Sequence, residues 1–259
     1  MSAGGGGAPE VEGGRRAELA GRLAAVHHRI AAARTAAGRH DEVTLVVVTK
    51  FFPASDVDLL AELGVRHVGE NRDQEASAKF EEVGRRGDLT VHFIGQLQTN
   101  KAQSVLRYAD VVQSVDRPRL VGALDRAAGA GGRTLDVTVQ VDLTEAVGLA
   151  DAGAAGRAGG PSGAPRGGAA PGEASALADL VAAAAGLRLR GVMAVAPLGA
   201  DPAAAFDALA GVHERLLRDH PDATWRSAGM SGDLEPAIAC GATHLRVGTA
   251  ILGSRPSRR

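Results

Sequence analysis

Apolar, β-branched runs alternate with amphipathic stretches along almost the whole chain. The runs are short and are bounded by glycine, proline or charged residues, which is typical of buried strands. Eight strands are predicted on this basis: 43–50, 67–70, 90–96, 111–115, 135–143, 187–196, 223–229 and 244–252. The alternation has the same regularity on both sides of a Gly-rich stretch in the middle of the chain, which favours one domain over two.

Segments with an apolar stripe of helical period lie before the first strand and between the later ones. They predict a first helix over 15–37 and further helices beginning at Ser55 and spanning 117–128, 173–185 and 202–219. Strands that alternate with helices form parallel βαβ units, and eight units in about 250 residues predict a single-domain α/β TIM (β/α)8 barrel. An open doubly wound sheet is the alternative, although the first strand lacks the GxGxxG turn of its dinucleotide-binding versions.

Two segments depart from this alternation. Residues 2–14 are Gly-rich and acidic, and residues 150–172 consist almost entirely of Ala, Gly, Pro and Arg. Neither composition supplies enough apolar surface to offset the entropy lost when a chain is ordered. We therefore predict a disordered tail over 1–14 and one barrel over 15–259, with 150–172 as a flexible surface loop inside it.

Composition and charge exclude several classes of protein. The net charge of −1 and the pI near 6.7 provide no global basic field for nucleic acid or an anionic membrane surface. One cysteine precludes an internal disulfide, and the chain has neither the Cys/His clusters of a zinc site nor a run of about 18 apolar residues. We expect a cytoplasmic protein that binds no nucleic acid, membrane or metal.

Lys50 ends the first predicted strand, in a chain that has only three lysines among 29 basic residues. In a TIM barrel, functional groups lie at the carboxyl ends of the strands. A lysine that burial keeps neutral is a nucleophile toward a carbonyl carbon, with which it forms a Schiff base. The alternative is a strand-end lysine whose ammonium group extends into solvent.

The loops after strands seven and eight carry groups suited to a phosphate, which this fold often binds there. Four residues offer hydroxyls or close backbone approach: Ser231, Gly232, Gly248 and Thr249. The alternative is an ordinary N-cap at Ser231 and a packing glycine at Gly248, and Asp233 and Glu235 would repel a phosphate if they faced it. An amine across the barrel from a phosphate site fits a phosphorylated aldehyde or ketone, and pyridoxal 5′-phosphate meets both requirements.

Five segments together carry a family resemblance. They are VVVTKFFP (46–53), GVRHVGENRDQE (64–75), VHFIGQLQTNK (91–101), LRLRGVMAVAP (187–197) and GMSGDLEPAIACGATHLRVGTAILG (229–253). In this order they resemble the pyridoxal phosphate homeostasis proteins, the YggS/PROSC family. The resemblance implies a single barrel, similar to the N-terminal barrel of alanine racemase, that binds pyridoxal 5′-phosphate.

The resemblance also implies eight cofactor-binding residues and no catalytic ones. Lys50 matches the lysine that holds the cofactor as a Schiff base, and Asn71 matches the Asn of the GEN motif near the ring. Met193 matches a methionine that packs beside the ring, and Arg246 matches an arginine aimed at the pyridine nitrogen. The positions that match phosphate-binding residues are Ser231, Gly232, Gly248 and Thr249.

The chain departs from the family pattern at secondary positions. Phe51 and Phe52 stand where many members have a second lysine, and Gln96 stands where many have a histidine. Asp142 replaces a frequent Asn, and the loop 150–172 replaces a lysine-bearing stretch. The resemblance therefore implies the cofactor site around Lys50. It does not imply functions that depend on the additional lysines of other members, such as extra cofactor attachment or transfer.

Three functions are weighed for such a site. The favoured one is a monomeric carrier that buffers pyridoxal phosphate and delivers it to apo-enzymes, without robust catalysis. An amino-acid racemase is the alternative, but it needs a second acid or base, and the only tyrosine, Tyr108, is predicted in a helical stretch away from the strand ends. A Schiff-base aldolase acting on a sugar phosphate would need a group beside the lysine, for which Glu70 is the candidate.

Overall fold

The computed structural model describes residues 8–149 and 167–254. Its strands are β1 (Thr44–Val48), β2 (His67–Glu70), β3 (Thr90–Phe93), β4 (Val111–Val115), β5 (Leu135–Gln140), β6 (Leu187–Met193), β7 (Trp225–Ser227) and β8 (His244–Val247). They are parallel and close into a barrel in sequence order, with β8 paired to β1. The predicted eight-stranded TIM barrel is confirmed.

Helices surround the strands. They are α1 (Ala8–Ala36), α2 (Ala54–Glu62), α3 (Asp73–Glu82), α4 (Ala102–Val105), α5 (Pro118–Ala130), α6 (Ala174–Ala182), α7 (Pro202–Asp219), α8 (Leu234–Ala239) and α9 (Thr249–Leu252), with short 3-10 turns at Arg86–Asp88 and Thr99–Lys101. The bounds of α7 agree with the prediction. Among the described helices, none has the length and hydropathy that a membrane crossing requires.

The first helix begins seven residues earlier than predicted and continues through Gly13 and Gly14. Extending a formed helix costs far less than nucleating one, so a well-packed helix tolerates these glycines. Its packed face is marked by four buried residues at helical spacing, Leu19, Leu23, Val26 and Ile30. This face packs against α8 and α9, and so α1 closes the ring of helices beside the last strand. Residues 1–7 of the predicted tail lie outside the described residues.

Several strands end earlier than predicted, and the differences lie at the mouth of the barrel. The first strand ends at Val48, so Lys50 belongs to the turn that follows it. The last strand ends at Val247, and residues predicted as its continuation form α9, in which Ile251 and Leu252 are buried. A short apolar run fits a buried helical turn as well as a strand, so hydrophobicity alone did not separate the two. The strands predicted over 90–96, 135–143, 187–196 and 223–229 are shortened in the same way.

The described end of the predicted Gly/Ala loop is hydrogen-bonded to the barrel. Ala169 is buried and forms a parallel bridge with Val141, just beyond β5. Its N–H donates to Gln140 O at 2.8 Å, and its carbonyl accepts the N–H of Asp142 at 2.9 Å. Part of the predicted loop therefore extends the sheet at this point. Residues 150–166 lie outside the described residues.

Candidate functional site

The predicted site residues lie on or directly after five neighbouring strands, β6, β7, β8, β1 and β2. Val48 pairs with Gly69, so Lys50 and Asn71 follow their strands at equivalent positions. Met193, the last residue of β6, pairs with Ser227 of β7 and is 1% exposed, so it forms part of the barrel wall there. The residues selected from the sequence are thus brought to one half of the barrel mouth.

Lys50 continues the inward-facing side of β1. A β-carbon on Gly69 would lie 3.2 Å from Val46 and 3.5 Å from Val48, so these two valines share one face, and Lys50 is two residues further along the strand direction. It is half-buried, and its Nζ lies 5.8 Å from the centroid of the Phe51 ring. The lysine therefore emerges at the rim of the barrel interior.

Asn71 has an amide oxygen that is buried and has no hydrogen-bond partner among the described residues. Buried polar atoms are nearly always hydrogen-bonded, so an unpaired one calls for a ligand or water. The backbone of Asn71 is tightly packed against the end of β3, since a β-carbon on Gly95 would lie 2.1 Å from Asn71 O. The backbone of Asn71 is therefore held in place, and its amide oxygen is available to accept a hydrogen bond from a ligand.

Arg246 lies inside the barrel and is 4% exposed. One Nη donates to Ser227 Oγ and the other to Ala194 O, each at 2.7 Å. Burial lowers the pKa of the guanidinium to about 10, so it is still charged at neutral pH. The arginine thus supplies a fixed positive charge to the interior, held by one acceptor on β7 and one directly after β6.

A chain of buried hydrogen bonds continues from Arg246 along the barrel interior. Ser227 Oγ donates to Gln113 Oε1 at 2.7 Å, and Gln113 Nε2 lies 2.8 Å from His92 Nδ1. His92 Nε2 lies 3.0 Å from His67 Nδ1. Burial lowers the pKa of both imidazoles, which favours their neutral forms. A neutral His92 that accepts the Gln113 amide at Nδ1 has its donor at Nε2, toward His67. Neither Gln113 nor Ser227 was predicted from the sequence as a site residue, although a glutamine inside the apolar strand VVQSV is a detectable signal.

The phosphate-binding candidates lie where the loop after β7 meets α9. Ser231 Oγ accepts the N–H of Ala250 at 3.3 Å, which joins the two loops. A β-carbon on Gly248 would lie 3.1 Å from Val48 O, so the glycine allows β8 and β1 to approach closely. Gly232 and Thr249 are exposed. Ser231 is not the N-cap of α8, because that helix begins at Leu234 with Asp233 in the cap position.

Two carboxylates near these loops are engaged elsewhere. Asp233 accepts the N–H of Met230 at 2.5 Å. Glu235 forms a paired interaction with Arg29 of α1 at 2.8 and 2.9 Å, and Arg29 also donates to Ser231 O at 3.1 Å. The repulsion that these acidic residues would exert on an anion is therefore reduced by their own partners.

Glu70, the candidate acid of an aldolase, is not an isolated carboxylate. It is fully buried and paired with Lys79 of α3, whose Nζ lies 2.7 Å from Glu70 Oε1. Burial raises the pKa of its carboxyl, although Lys79 and a hydrogen bond from Thr49 act in the opposite direction. The pair occupies the layer between the strands and α3. Lys79 was not predicted from the sequence as a functional residue, although lysines are rare in this chain.

Residues 22–256 match the family described as alanine racemase, N-terminal domain. A curated pyridoxal phosphate homeostasis protein of Mycobacterium tuberculosis is 44% identical over 260 residues, which cover 94% of this chain and 95% of the relative. This chain belongs to the pyridoxal phosphate homeostasis proteins of the alanine racemase N-terminal domain family. The resemblance inferred from the five sequence segments is confirmed.

Two solved structures resemble this homeostasis-family chain along most of its length. A protein from Bifidobacterium adolescentis described as unknown has a TM-score of 0.79 at 32% identity, covering 92% of this chain and 96% of its own. PipY from Synechococcus elongatus, solved with pyridoxal 5′-phosphate (PLP) bound, has a TM-score of 0.74 at 33% identity, and the match covers 91% of this chain and all of PipY.

The described residues of this chain contain no cluster of His, Cys, Asp and Glu side chains suited to a metal ion.

Proposed function

We propose that this chain binds pyridoxal 5′-phosphate at the mouth of its barrel and serves the homeostasis of that cofactor. The names of its relatives and the PLP bound to PipY support the proposal. The single observation that carries it for this chain is that Lys50, Asn71 and Arg246 lie on or directly after three adjacent strands, β1, β2 and β8. These residues offer an amine, an unpaired amide oxygen and a positive charge, which suit an aldehyde on an aromatic, nitrogen-containing ring.

Lys50 is the proposed attachment point. Its amine adds to the aldehyde carbon and the carbonyl oxygen leaves as water, which gives a Schiff base. Arg246 would donate to the ring nitrogen and, because it carries a positive charge, would disfavour protonation of that nitrogen. When bound, the cofactor supplies an electron sink for carbanions, and an unprotonated ring makes that sink weaker. Asn71 and Met193 would contact the ring from β2 and β6.

The phosphate is proposed to lie at the junction of the two last loops. Ser231 and Thr249 would provide hydroxyl donors there, and Gly232 and Gly248, which have no side chain, would let backbone N–H groups approach an anion. Hydrogen bonds to a phosphate are charge-assisted and stronger than neutral ones. This end of the site would hold the cofactor whether or not a covalent bond forms.

A homeostasis role without robust catalysis is favoured by the surroundings of Tyr108, the only tyrosine. Its ring stacks on Phe80 of α3, its hydroxyl lies 3.5 Å from Asp73 Oδ1, and burial raises its pKa. It is thus packed in the helical layer and is poorly suited to act as the second base of a racemase. Delivery to apo-enzymes and a monomeric state remain proposals.

The test is to load the purified protein with pyridoxal phosphate, record the visible absorbance, reduce with borohydride and map the modified peptide. The expected result is an imine absorbance band and a reduced adduct on Lys50. A protein that takes up no pyridoxal phosphate would contradict the whole proposal. Incubation of the loaded protein with L-alanine tests the alternative, since accumulation of D-alanine at an enzymatic rate would favour the racemase.

A further inference from the structure

The turn that carries Lys50 has an unfavourable backbone conformation. Phe52 N–H donates to Thr49 O at 3.1 Å, which closes the turn around Lys50 and Phe51. Phe51 has a φ of 72°, in the left-handed region that residues with a β-carbon rarely adopt. Such conformations persist where surrounding contacts hold them, often next to functional residues. We therefore ask which contacts hold the backbone of this turn in its left-handed conformation.

Two side chains of α3 hold the backbone on either side of Lys50. Lys79 Nζ donates to Thr49 O at 2.9 Å. The Glu75 carboxylate accepts the N–H of Phe51. Because Glu75 and Lys79 are four residues apart, they lie on the same face of the helix, and Nζ is 3.6 Å from Glu75 Oε1. One helix face thus holds the peptide groups that flank the lysine.

Glu70 completes this cluster from the neighbouring strand. Its Oε1 accepts both the Thr49 hydroxyl and Lys79 Nζ at 2.7 Å, and Glu70 and Lys79 are 0% and 7% exposed. A buried ion pair is weak evidence for stability, since apolar residues of similar volume often serve a protein equally well. An apolar pair, however, could not form hydrogen bonds with the carbonyl and hydroxyl groups of Thr49, as Lys79 and Glu70 do. The pair therefore has a directional effect on the residue before Lys50.

We infer that Lys79, Glu70 and Glu75 are positioning residues for Lys50. They fix the direction in which its side chain leaves the barrel wall, and thereby favour addition of its amine to an aldehyde. The inference deepens the proposed function and rests on it. The three residues exchange no proton or electron with the ligand, because they lie in the layer between α3 and the strands while Lys50 follows the inward face of β1. Held geometry of this kind lowers the entropic cost of a covalent step.

Two variants and a matched control test the inference. Glu75→Leu removes the acceptor of the Phe51 N–H, and Glu81→Leu is its control, an exposed glutamate of the same helix. The double variant Glu70→Gln with Lys79→Met removes both buried charges together, so neither is left buried without its counter-ion, and Glu75, which also loses Lys79, is partly exposed to solvent. Each protein is titrated with pyridoxal phosphate and with pyridoxine 5′-phosphate, which has an alcohol in place of the aldehyde.

The affinity for pyridoxal phosphate is expected to fall about tenfold or more in both test variants, while that for the alcohol changes by less than about twofold. In the cofactor-free protein, hydrogen exchange at the Phe51 amide is expected to accelerate about tenfold in Glu75→Leu and to stay unchanged in the control. Equal losses for both ligands, or unchanged affinity and exchange, would overturn the inference. A wild-type protein that takes up pyridoxal phosphate but gives no borohydride-stable adduct on Lys50 would instead contradict the attachment point in the proposed function, and one that takes up none would contradict the proposed function as a whole.

Discussion

The two ends of the proposed cofactor site are built differently. At the lysine end, Thr49 is hydrogen-bonded to the buried side chains of Glu70 and Lys79, and Phe51 to the half-buried Glu75. Asn71 is packed against the end of β3. At the phosphate end, Ser231 is half-buried, and Gly232 and Thr249 are exposed. The lysine end is held by the buried side chains of Glu70 and Lys79. The phosphate end is held by the partly exposed Arg29 of α1 and by a backbone N–H of α9, and it presents backbone and hydroxyl groups.

The difference corresponds to what each end must do. A covalent bond forms only when the amine meets the aldehyde carbon in a narrow range of directions, so the lysine must be held by its surroundings. A phosphate has several equivalent oxygens and is attracted by charge, so its donors tolerate small displacements. Changes at the lysine end should therefore act on imine formation alone, and changes at the phosphate end should act on every phosphorylated ligand.

Replacing Lys50 by alanine should have the largest effect on this comparison. Lys50→Ala abolishes the imine, because no other amine follows the inward face of β1, and pyridoxal phosphate should then bind no more tightly than pyridoxine 5′-phosphate. Borohydride reduction, peptide mapping and titration with both ligands measure this.

Lys101→Ala is the matched control for this prediction. Lys101 is exposed and interacts with Asp73 at 3.6 Å, so its removal should leave the adduct unchanged. An adduct of wild-type yield in Lys50→Ala would move the attachment point to another lysine.

Glycine substitutions should reveal the difference in packing between the two ends. Gly95→Ala would place a β-carbon 2.1 Å from Asn71 O, and we expect a loss of about 3 kcal/mol in the free energy of unfolding. Gly248→Ala meets Val48 O at 3.1 Å, which a small shift relieves, so about 1 kcal/mol is expected. Urea unfolding measures both, with Gly129→Ala as the control because, apart from the chain neighbours and the backbone of its own helix, no atom lies within 4 Å of its β-carbon position. Equal losses of unfolding free energy for Gly95→Ala and Gly248→Ala would contradict the difference in packing between the two ends.

The sequence was sufficient for features that are local. The period of the apolar residues predicted eight strands and their closure, and the position of Lys50 after an apolar run identified it as a candidate. It was insufficient where an apolar run fits either a strand or a helix. Ile251 and Leu252 are an example, since they form a buried helical turn rather than the end of β8. There the packing against α1, which is distant in the sequence, decides the structure.

The sequence also could not identify partners that meet only when the barrel closes. Gln113 and Ser227 are 114 residues apart, and their hydrogen bond depends on the register of every strand between them. Lys79 and Thr49 meet because α3 packs over the first two strands. Predicting such pairs requires the three-dimensional arrangement, since nothing in either residue's local sequence specifies the other.

Of the two substitutions that test ligand binding, Ser231→Ala should have the smaller effect, and it should sharpen the comparison most. The Ser231 hydroxyl is proposed to donate to the phosphate, so its loss should weaken pyridoxal phosphate and pyridoxine 5′-phosphate equally, by about 1.5 kcal/mol each. The borohydride adduct on Lys50 should still form at saturating ligand, because the lysine end is untouched. Titration of both ligands, with Ser254→Ala as an exposed control, provides the measurement. If Ser231→Ala weakened only the aldehyde, the two ends would be coupled, and the division between a directed amine and a tolerant phosphate site would have to be abandoned.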